Sequence, residues 1–223
     1  MKINVVLYHP EIPQNTGNIM RSCVGFHAKL HLIRPLGFKL DEAHMRRAAL
    51  DYFDYLEYEV YDSWDDFKSK NKGKFYYLTR YGHKSPSTIN FKETDEDVYL
   101  VFGAESTGIA YDILKENLDD CYRIPTTDKI RSLNLSNCAA IMLFLASEQL
   151  NDESVVVKHE PNTMKGENFI DDLDLKELDI VHREYDHKWL VLLKKEILYR
   201  FPFSFWNTNG YCLKYWLLPL ILL

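Results

Sequence analysis

Short apolar runs alternate along the chain with segments in which apolar positions recur at helical spacing. Helical patterns lie at about residues 15–27, 41–50, 63–71 and 111–117, with Asn15, Asp41 and Ser63 as candidate N-caps. Six apolar runs are typical of buried strands, and they cover residues 3–8, 30–34, 56–60, 75–79, 98–102 and 121–124. This alternation predicts an α/β fold in which helices cover both faces of a mostly parallel sheet.

The segment "LSNCAAIMLFLASEQL", residues 135–150, is apolar around nearly its whole circumference. We expect such a helix to be buried, either in the core or against another subunit. The composition then changes, because residues 151–179 are acidic and rich in turn formers, which is typical of a linker. A helical pattern returns at about residues 186–200.

We therefore divide the chain into an α/β domain, residues 1–150, and a C-terminal extension, residues 151–223. The extension consists of the acidic linker and an apolar end, "YWLLPLILL". A membrane-spanning helix needs roughly twenty apolar residues, so this short end predicts no membrane span. The first residues lack the long apolar region of a secretory signal, and a cytoplasmic protein is the expectation.

The net charge of −6 argues against a protein that covers nucleic acid through bulk attraction. The first fifty residues differ, since they carry seven Lys or Arg against three Asp or Glu. A local polyanion site and an ordinary solvated face explain these basic residues equally well: Arg21, Lys29, Arg34, Lys39, Arg46 and Arg47. The four cysteines form no Cys-x-x-Cys pair, so neither a zinc site nor a disulfide framework is predicted.

Three polar loops follow predicted strands, and their chemistry exceeds what a turn requires. In "PEIPQNTGNIMRSC", Arg21 offers a guanidinium fork suited to phosphate, although a surface arginine on a capped helix explains it equally well. In "VFGAESTGI", the turn accounts for the two glycines but not for Glu105. In "RIPTTDKIRSLNLSN", one N-cap would suffice, yet four polar residues crowd the start of a helix: Ser132, Asn134, Ser136 and Asn137.

If the three strands belong to one parallel sheet, these loops meet at one edge and form one site. Other chemistries fit poorly, because the chain has no dinucleotide fingerprint, no phosphate-binding P-loop and no nucleophile elbow. The eight histidines show no metal-ligand spacing. We expect His9, His27, His31 and His44 to be surface residues or hydrogen-bonded core residues.

In this order and at these separations, the motifs "PEIPQNTGNIMRSC", "FGAESTGI" and "IPTTDKIRSLNLSNCAAI" resemble those of the SPOUT methyltransferases. Within that class they resemble the small tRNA (cytidine/uridine) 2′-O-methyltransferases that modify the anticodon wobble nucleotide. The resemblance covers about residues 2–150. It implies the SPOUT fold, with a deep C-terminal trefoil knot that periodicity alone does not reveal, since knots are nearly absent from proteins.

The resemblance also implies a cofactor and a set of site residues. Bent S-adenosylmethionine would bind in the knotted loops, partly through backbone groups, at Leu78, Gly103, Ile124, Ser132 and Leu133. Catalysis would fall to Arg21, supported by Asn15, Glu105, Ser132 and Asn134. A guanidinium donates hydrogen bonds and does not accept them, so we expect Arg21 to orient a phosphate and stabilise the developing alkoxide. No metal is implied.

Two positions depart from the family pattern. Gly103-Ala104-Glu105 replaces a Gly-Pro-Glu sequence, and Phe144 stands where related enzymes carry a tyrosine.

The implied function is methyl transfer to the ribose 2′-hydroxyl of the tRNA wobble nucleotide by a homodimer. The alternative is a noncatalytic RNA-binding or assembly module that retains the knotted fold. The joint presence of the five catalytic candidates favours the enzyme, since a scaffold needs none of them. A nucleotide-dependent dehydrogenase is disfavoured by the missing phosphate fingerprint. We expect the helix at residues 135–150 to form part of the dimer interface, and residues 151–223 to be dispensable for methyl transfer.

Overall fold

The computed structural model describes residues 2–39 and 50–150, together with a few positions between 157 and 171. By backbone contacts the chain divides into two units, Met1–Lys158 and His159–Leu223. In the second unit, His159 Nδ1 lies 3.2 Å from Glu167 Oε1. Most of the helix predicted at residues 41–50, the pattern at 186–200, and the residues Asp41, His44, Arg46, Arg47 and Cys212 lie outside the described residues.

Six parallel strands form one sheet in the order β3-β2-β1-β5-β4-β6. The strands are β1 (Ile3–Tyr8), β2 (Ala28–Ile33), β3 (Tyr58–Tyr61), β4 (Lys74–Leu78), β5 (Val98–Phe102) and β6 (Cys121–Tyr122). All six predicted strands are confirmed, β1 and β5 with unchanged bounds and the others displaced by at most two residues. The central strands β1 and β5 are buried on both faces, which explains why they appear in the sequence as continuous apolar runs.

The helices are α1 (Pro13–Gly25), α2 (Trp64–Lys70), α3 (Tyr111–Glu116) and α4 (Leu135–Leu150), and a 3₁₀ helix covers Leu50–Tyr55. Alternate side chains of β1 enter two separate cores. Val5 belongs to the core with residues of α1 and α4, whereas Val6 belongs to the core with Phe67 of α2 and Ile113 of α3. The predicted arrangement of helices on both faces of a parallel sheet is therefore confirmed.

The start of α1 differs from the prediction, because Asn15 is not its N-cap. Ile12 occupies the cap position without a side-chain cap hydrogen bond, and Pro13 follows as the first helical residue. Proline fits there because its missing N–H has no intrahelical partner to lose. Asn15 lies within the first turn and is buried. By contrast Ser63 caps α2 as predicted, since its Oγ accepts from the Asp66 N–H at 3.1 Å.

Helix α4 has the predicted bounds, but only one face is buried in the described part of the chain. Met142 and Leu143 are fully buried in the core. The opposite stripe is exposed, and it contains Asn137, Ile141, Phe144 and Glu148. The apolar residues of α4 thus lie partly in the core and partly on an exposed stripe. None of the described helices is long and apolar enough to cross a membrane.

Candidate functional site

The loops that follow β1, β4, β5 and β6 enclose a cavity of about 840 Å³ at one edge of the sheet. Its wall contains residues from segments 8–15, 78–81, 102–111 and 122–138. All three polar loops identified in the sequence contribute, which confirms the prediction that they meet. The position fits the general rule that parallel α/β sheets bind ligands beyond the carboxyl ends of their strands.

All five residues predicted to contact a cofactor line this cavity: Leu78, Gly103, Ile124, Ser132 and Leu133. Gly103 is required by the backbone, because a Cβ there would lie 2.2 Å from the Gly108 carbonyl carbon. That close approach belongs to a tight turn in which the Gly108 N–H donates to the Ala104 carbonyl at 2.9 Å. Gly108 itself has φ +77°, a conformation that side chains disfavour.

Glu105, at the centre of this turn, ties the second loop to the first. Its carboxylate accepts hydrogen bonds from the backbone N–H of Glu11 at 2.9 Å and of Ile12 at 3.3 Å. It also accepts from Asn15 Nδ2 at 2.8 Å. A carboxylate that receives three such donors fixes both loops through charge-assisted hydrogen bonds.

Asn15 extends this contact to the third loop. Its Oδ1 accepts from Asn134 Nδ2 at 2.9 Å, while Asn134 Oδ1 accepts from the Ser136 N–H at 2.9 Å and from Ser136 Oγ at 2.7 Å. Asn134 therefore caps the start of α4 and joins the other loops at the same time. This chain of hydrogen bonds runs from Glu105 through Asn15 and Asn134 to Ser136, and it accounts for two of the four polar residues at the start of α4, Asn134 and Ser136.

Glu11 makes the reciprocal contact, and sequence reasoning missed it. Its carboxylate accepts from the Ser106 N–H at 2.9 Å and from Ser106 Oγ at 2.6 Å. Gly37 supports Glu11 from behind, because a Cβ on Gly37 would lie 2.7 Å from Glu11 Cα. Each loop thus supplies a carboxylate that accepts hydrogen bonds from the backbone of the other loop. The only sequence signal was the presence of one acid, Glu11, inside the first motif.

The remaining catalytic candidates occupy different places. Ser132 lies in the cavity wall. Among the described residues, Arg21 is not part of that wall; it is exposed on α1, with its Cζ 5.0 Å from the ring centroid of Tyr52. The structure therefore brings Asn15, Glu105, Ser132 and Asn134 together and leaves Arg21 outside.

Two other basic residues of the N-terminal region pair with acids on the surface. Lys29 Nζ lies 2.8 Å from Glu59 Oε2, and Arg34 Nε lies 3.5 Å from Asp62 Oδ1. For these two residues the solvated-face interpretation is the better one.

Two histidines show different environments. His31 is a hydrogen-bonded core residue, as expected, with Nδ1 2.9 Å from Tyr61 Oη and Nε2 3.0 Å from Asn4 Oδ1. His9 lies in the cavity wall, where burial lowers the pKa of its imidazole, and it stacks on Tyr8 at 3.8 Å between ring centroids. The cavity therefore contains an imidazole that favours its neutral form. In the described part of the chain, no three potential ligand side chains are grouped around a metal position.

The chain is similar to known methyltransferases over the region that contains the three motif loops. A sequence profile of the SpoU rRNA Methylase family matches residues 2–144. A Listeria monocytogenes protein, provisionally named tRNA (cytidine(34)-2′-O)-methyltransferase, is 48% identical over 163 residues, 73% of this chain and 95% of the relative. A Saccharophagus degradans protein named tRNA (cytidine(34)-2′-O)-methyltransferase is 42% identical over 149 residues, 66% of this chain and 95% of the relative.

A solved structure concerned with the 2-OH methylation of C/U34 on tRNA superimposes with a TM-score of 0.60. Its sequence is 35% identical, and the match covers 67% of this chain and 96% of that chain. All three motif loops lie within the matched residues 2–144 of the family profile.

Proposed function

Because the chain belongs to the SpoU rRNA methylase family, we propose that it methylates the ribose 2′-hydroxyl of the wobble nucleotide, position 34, of tRNA. The methyl donor is S-adenosylmethionine. The observation that carries the proposal is the cavity at the sheet edge, whose wall is built by all three motif loops. Position 34 and the 2′-hydroxyl come from the relatives, one of which is 42% identical over nearly its whole length.

The cavity suits a small organic cofactor in size and in chemistry. Its volume of about 840 Å³ lies within the roughly 300–1,000 Å³ of ligand sites. Leu78, Ile124 and Leu133 offer apolar contacts for a purine, and Gly103 and Ser132 offer small residues at the turns between them. When bound, S-adenosylmethionine supplies an electrophilic methyl group on a sulfonium centre.

The hydrogen-bond chain from Glu105 to Ser136 contributes by positioning. Methyl transfer to a hydroxyl oxygen requires an in-line approach, so the rate depends on how firmly the walls of the site are fixed. Glu105 and Asn15 hold the first loop against the second, and Asn134 holds both against the start of α4. The proton of the hydroxyl passes to phosphate or water.

Arg21 serves the RNA and not the cofactor. Its exposed guanidinium is a permanent cation with a donor fork, which suits an RNA phosphate and the charge that develops on the attacking oxygen. Since Arg21 lies outside the cavity wall of its own subunit, we extend the proposal to a homodimer in which each RNA site uses residues of both subunits. The exposed apolar stripe of α4, with Ile141 and Phe144, is the surface we assign to that contact.

We also propose that the backbone forms the trefoil knot of SPOUT enzymes. Several contacts support a threaded path around the segment between β4 and β5. The Thr79 N–H donates to the Tyr122 carbonyl at 2.9 Å, and a Cβ on Gly82 would lie 2.4 Å from the Tyr122 carbonyl carbon. On the other side of the segment, Gln149 of α4 accepts from the Phe91 N–H at 2.9 Å. An experimental structure that traces this path tests the proposal.

The direct test of activity uses the full-length protein, radiolabelled S-adenosylmethionine and unmodified tRNA. We expect label in tRNA, and mass mapping should locate the methyl group on the ribose of nucleotide 34. A matched tRNA with 2′-deoxyribose at position 34 should remain unlabelled. Equal labelling of both tRNAs would contradict the proposed target. Tight RNA binding without any transfer would instead support the noncatalytic RNA-binding module.

A further inference from the structure

A second, smaller depression of about 520 Å³ adjoins the main cavity. Five residues line both: Arg80, Tyr81, Arg123, Thr126 and Arg131. We call these five residues the rim. The depression also reaches Thr127 and Asp128, which do not line the main cavity, so it is a separate space that opens into the first.

The rim carries three guanidinium groups in a protein whose net charge is −6. Within the part of the chain that the structure describes, Arg123 and Arg131 have no carboxylate at ion-pair distance. The neighbouring acid, Asp128, lies 3.9 Å from Lys129 instead. Unneutralised arginines that border a concave surface attract an anion, and their planar forks match the geometry of phosphate.

Aromatic rings stand beside these charges and face solvent. Tyr81 and Tyr111 are 45% and 68% exposed, and their ring centroids are 5.8 Å apart in an edge-to-face arrangement. The Arg80 guanidinium lies 4.7 Å from the centroid of the Tyr81 ring and donates to its hydroxyl. An exposed ring that a guanidinium holds in place is a typical platform for stacking of an unpaired base.

A third observation is the hydroxyl of Thr126. Its Oγ1 is buried and, among the described residues, has no hydrogen-bond partner. Buried polar atoms are nearly always hydrogen-bonded, so this atom points to a polar ligand between the two depressions. Thr126 belongs to the wall of both.

We propose that the rim binds the phosphodiester and the base of the nucleotide next to the methylated one. This inference rests on the proposed function, which requires the acceptor ribose to approach the cofactor held in the main cavity. The phosphate lies between Arg123 and Arg131, and the base stacks on Tyr81. An RNA backbone is the occupant we assign because three cations exceed what the single carboxylate of the cofactor requires, and because the exposed rings suit a base.

The test measures binding of an anticodon stem-loop RNA to the full-length protein by fluorescence anisotropy at several salt concentrations. We expect Arg123→Gln and Arg131→Gln each to weaken binding by about 5- to 50-fold. Each should also reduce the number of counterions released on binding, measured as the slope of log K against log salt concentration, by about one. Tyr81→Ala should weaken binding, whereas Tyr81→Phe should retain most of it because the ring remains. Affinity for S-adenosylmethionine, measured by calorimetry, should change less than about threefold in every variant.

Lys129→Gln is the matched control. It removes a charge from the same loop, but Lys129 is 83% exposed at its side chain and lines neither depression. If the two arginine variants bind the RNA as tightly as Lys129→Gln does, the inference is overturned. Loss of cofactor binding in the arginine variants would also overturn it, since the rim would then belong to the cofactor site.

The two proposals fail in different ways. A wild-type protein that binds the stem-loop through the rim but transfers no methyl group contradicts the proposed function, while RNA binding by the rim still stands. A wild-type protein that methylates nucleotide 34 while the rim variants bind RNA normally contradicts the rim inference alone.

Discussion

Glu11 and Glu105 show how two acids can stabilise one site without a cation between them. Each carboxylate accepts hydrogen bonds from the loop that carries the other, and Glu105 also receives the amide of Asn15. Hydrogen bonds to charged groups contribute about 1.5–3 kcal/mol, roughly twice the value of neutral ones. These reciprocal hydrogen bonds therefore fix the first two motif loops in one geometry.

Glu105→Gln should lower kcat/KM of methyl transfer by about 10- to 100-fold, because one amide oxygen cannot replace a carboxylate that accepts from three donors. The NH₂ group of the new side chain would also face the backbone N–H donors of the first loop. Steady-state kinetics with RNA and S-adenosylmethionine measures the effect. Ser106→Ala is the milder comparison, since Glu11 keeps the backbone N–H at 2.9 Å. Equal activity of Glu105→Gln and wild type would show that the contact does not position the site.

Arg21→Ala should reduce methyl transfer by about 10²- to 10³-fold, the usual cost of losing one transition-state donor. Affinity for S-adenosylmethionine should remain within a few-fold, because Arg21 lies outside the cavity wall. Single-turnover kinetics and calorimetry separate the two effects. Arg34→Ala, which removes an exposed arginine that pairs with Asp62, serves as control. Near-full turnover of Arg21→Ala would remove Arg21 from the catalytic residues.

The sequence showed which side chains were in excess but not what they contact. Glu105 stood out because the turn did not need it, and Asn134 because it was one of four polar residues where one N-cap would suffice. Their partner Asn15 looked like an N-cap, and only the fold shows that its amide bridges residues 90 and 119 positions away. Glu11 was missed for the same reason, since its partner Ser106 lies 95 positions along the chain. Local patterns do not carry such contacts.

The central strands were predictable because both of their faces are buried. A run such as Ile3–Tyr8 is apolar over its whole length except for Asn4, so its first and last residues are easy to identify. The strand order was not predictable, because β1 pairs with β2 and β5 through contacts that the order of residues does not encode. The start of α1 was misplaced because Asn15 matched a cap pattern while Pro13 set the actual first turn.

The exposed stripe of α4 carries the prediction for the homodimer. Phe144 and Ile141 are 52% and 38% exposed, although a charged or polar residue would be usual at such positions. Phe144→Asp should convert a dimer into a monomer and reduce methyl transfer in parallel, because a charge at an apolar interface is costly. Sedimentation measures the first effect and the activity assay the second.

The controls for this helix follow from its two faces. Phe144→Leu keeps an apolar side chain and should remain dimeric. Leu143→Asp should unfold the domain, since Leu143 is fully buried. Sedimentation of an active wild-type monomer at the assay concentration would contradict the assignment of this surface.

The stability of the first unit should depend on pH through His31, whose side chain is buried. Burial, helped by the nearby charge of Lys29 and opposed by that of Glu59, lowers the pKa of His31 to about 4. The unfolded chain, with an ordinary histidine pKa near 6.5, binds the proton more readily. Protonation therefore favours unfolding, and stability should fall as pH drops from about 6.5 towards 4.

We expect the free energy of unfolding to fall by about 2 kcal/mol between pH 7 and pH 5 from this residue alone. Urea unfolding of wild type and of His31→Gln at both pH values measures it. The variant will be less stable at pH 7, because it loses the hydrogen bond to Tyr61 or Asn4, but its stability should change less with pH. Identical pH dependence of the two proteins would show that His31 is not the responsible group.

At the scale of the whole chain, methyl transfer should require only the first compact unit. That unit, Met1–Lys158, contains all three motif loops and every described strand and helix. The Saccharophagus degradans relative is matched over 95% of its own length by 149 residues of this chain, so a protein named for the activity has little that corresponds to the extension. Residues 151–179, which the sequence predicts to be a linker, are acidic and would repel RNA.

A variant that ends at Lys158 should therefore methylate tRNA within about threefold of the full-length rate. At low salt its affinity for RNA should equal or exceed that of the full chain, because most of the acidic segment, residues 159–179, has been removed. Activity, calorimetry with S-adenosylmethionine and sedimentation together check the variant, and a chain that ends at residue 179 separates the linker from the apolar end. A truncated protein that folds, dimerises and binds the cofactor but no longer methylates RNA would show that the extension holds the substrate.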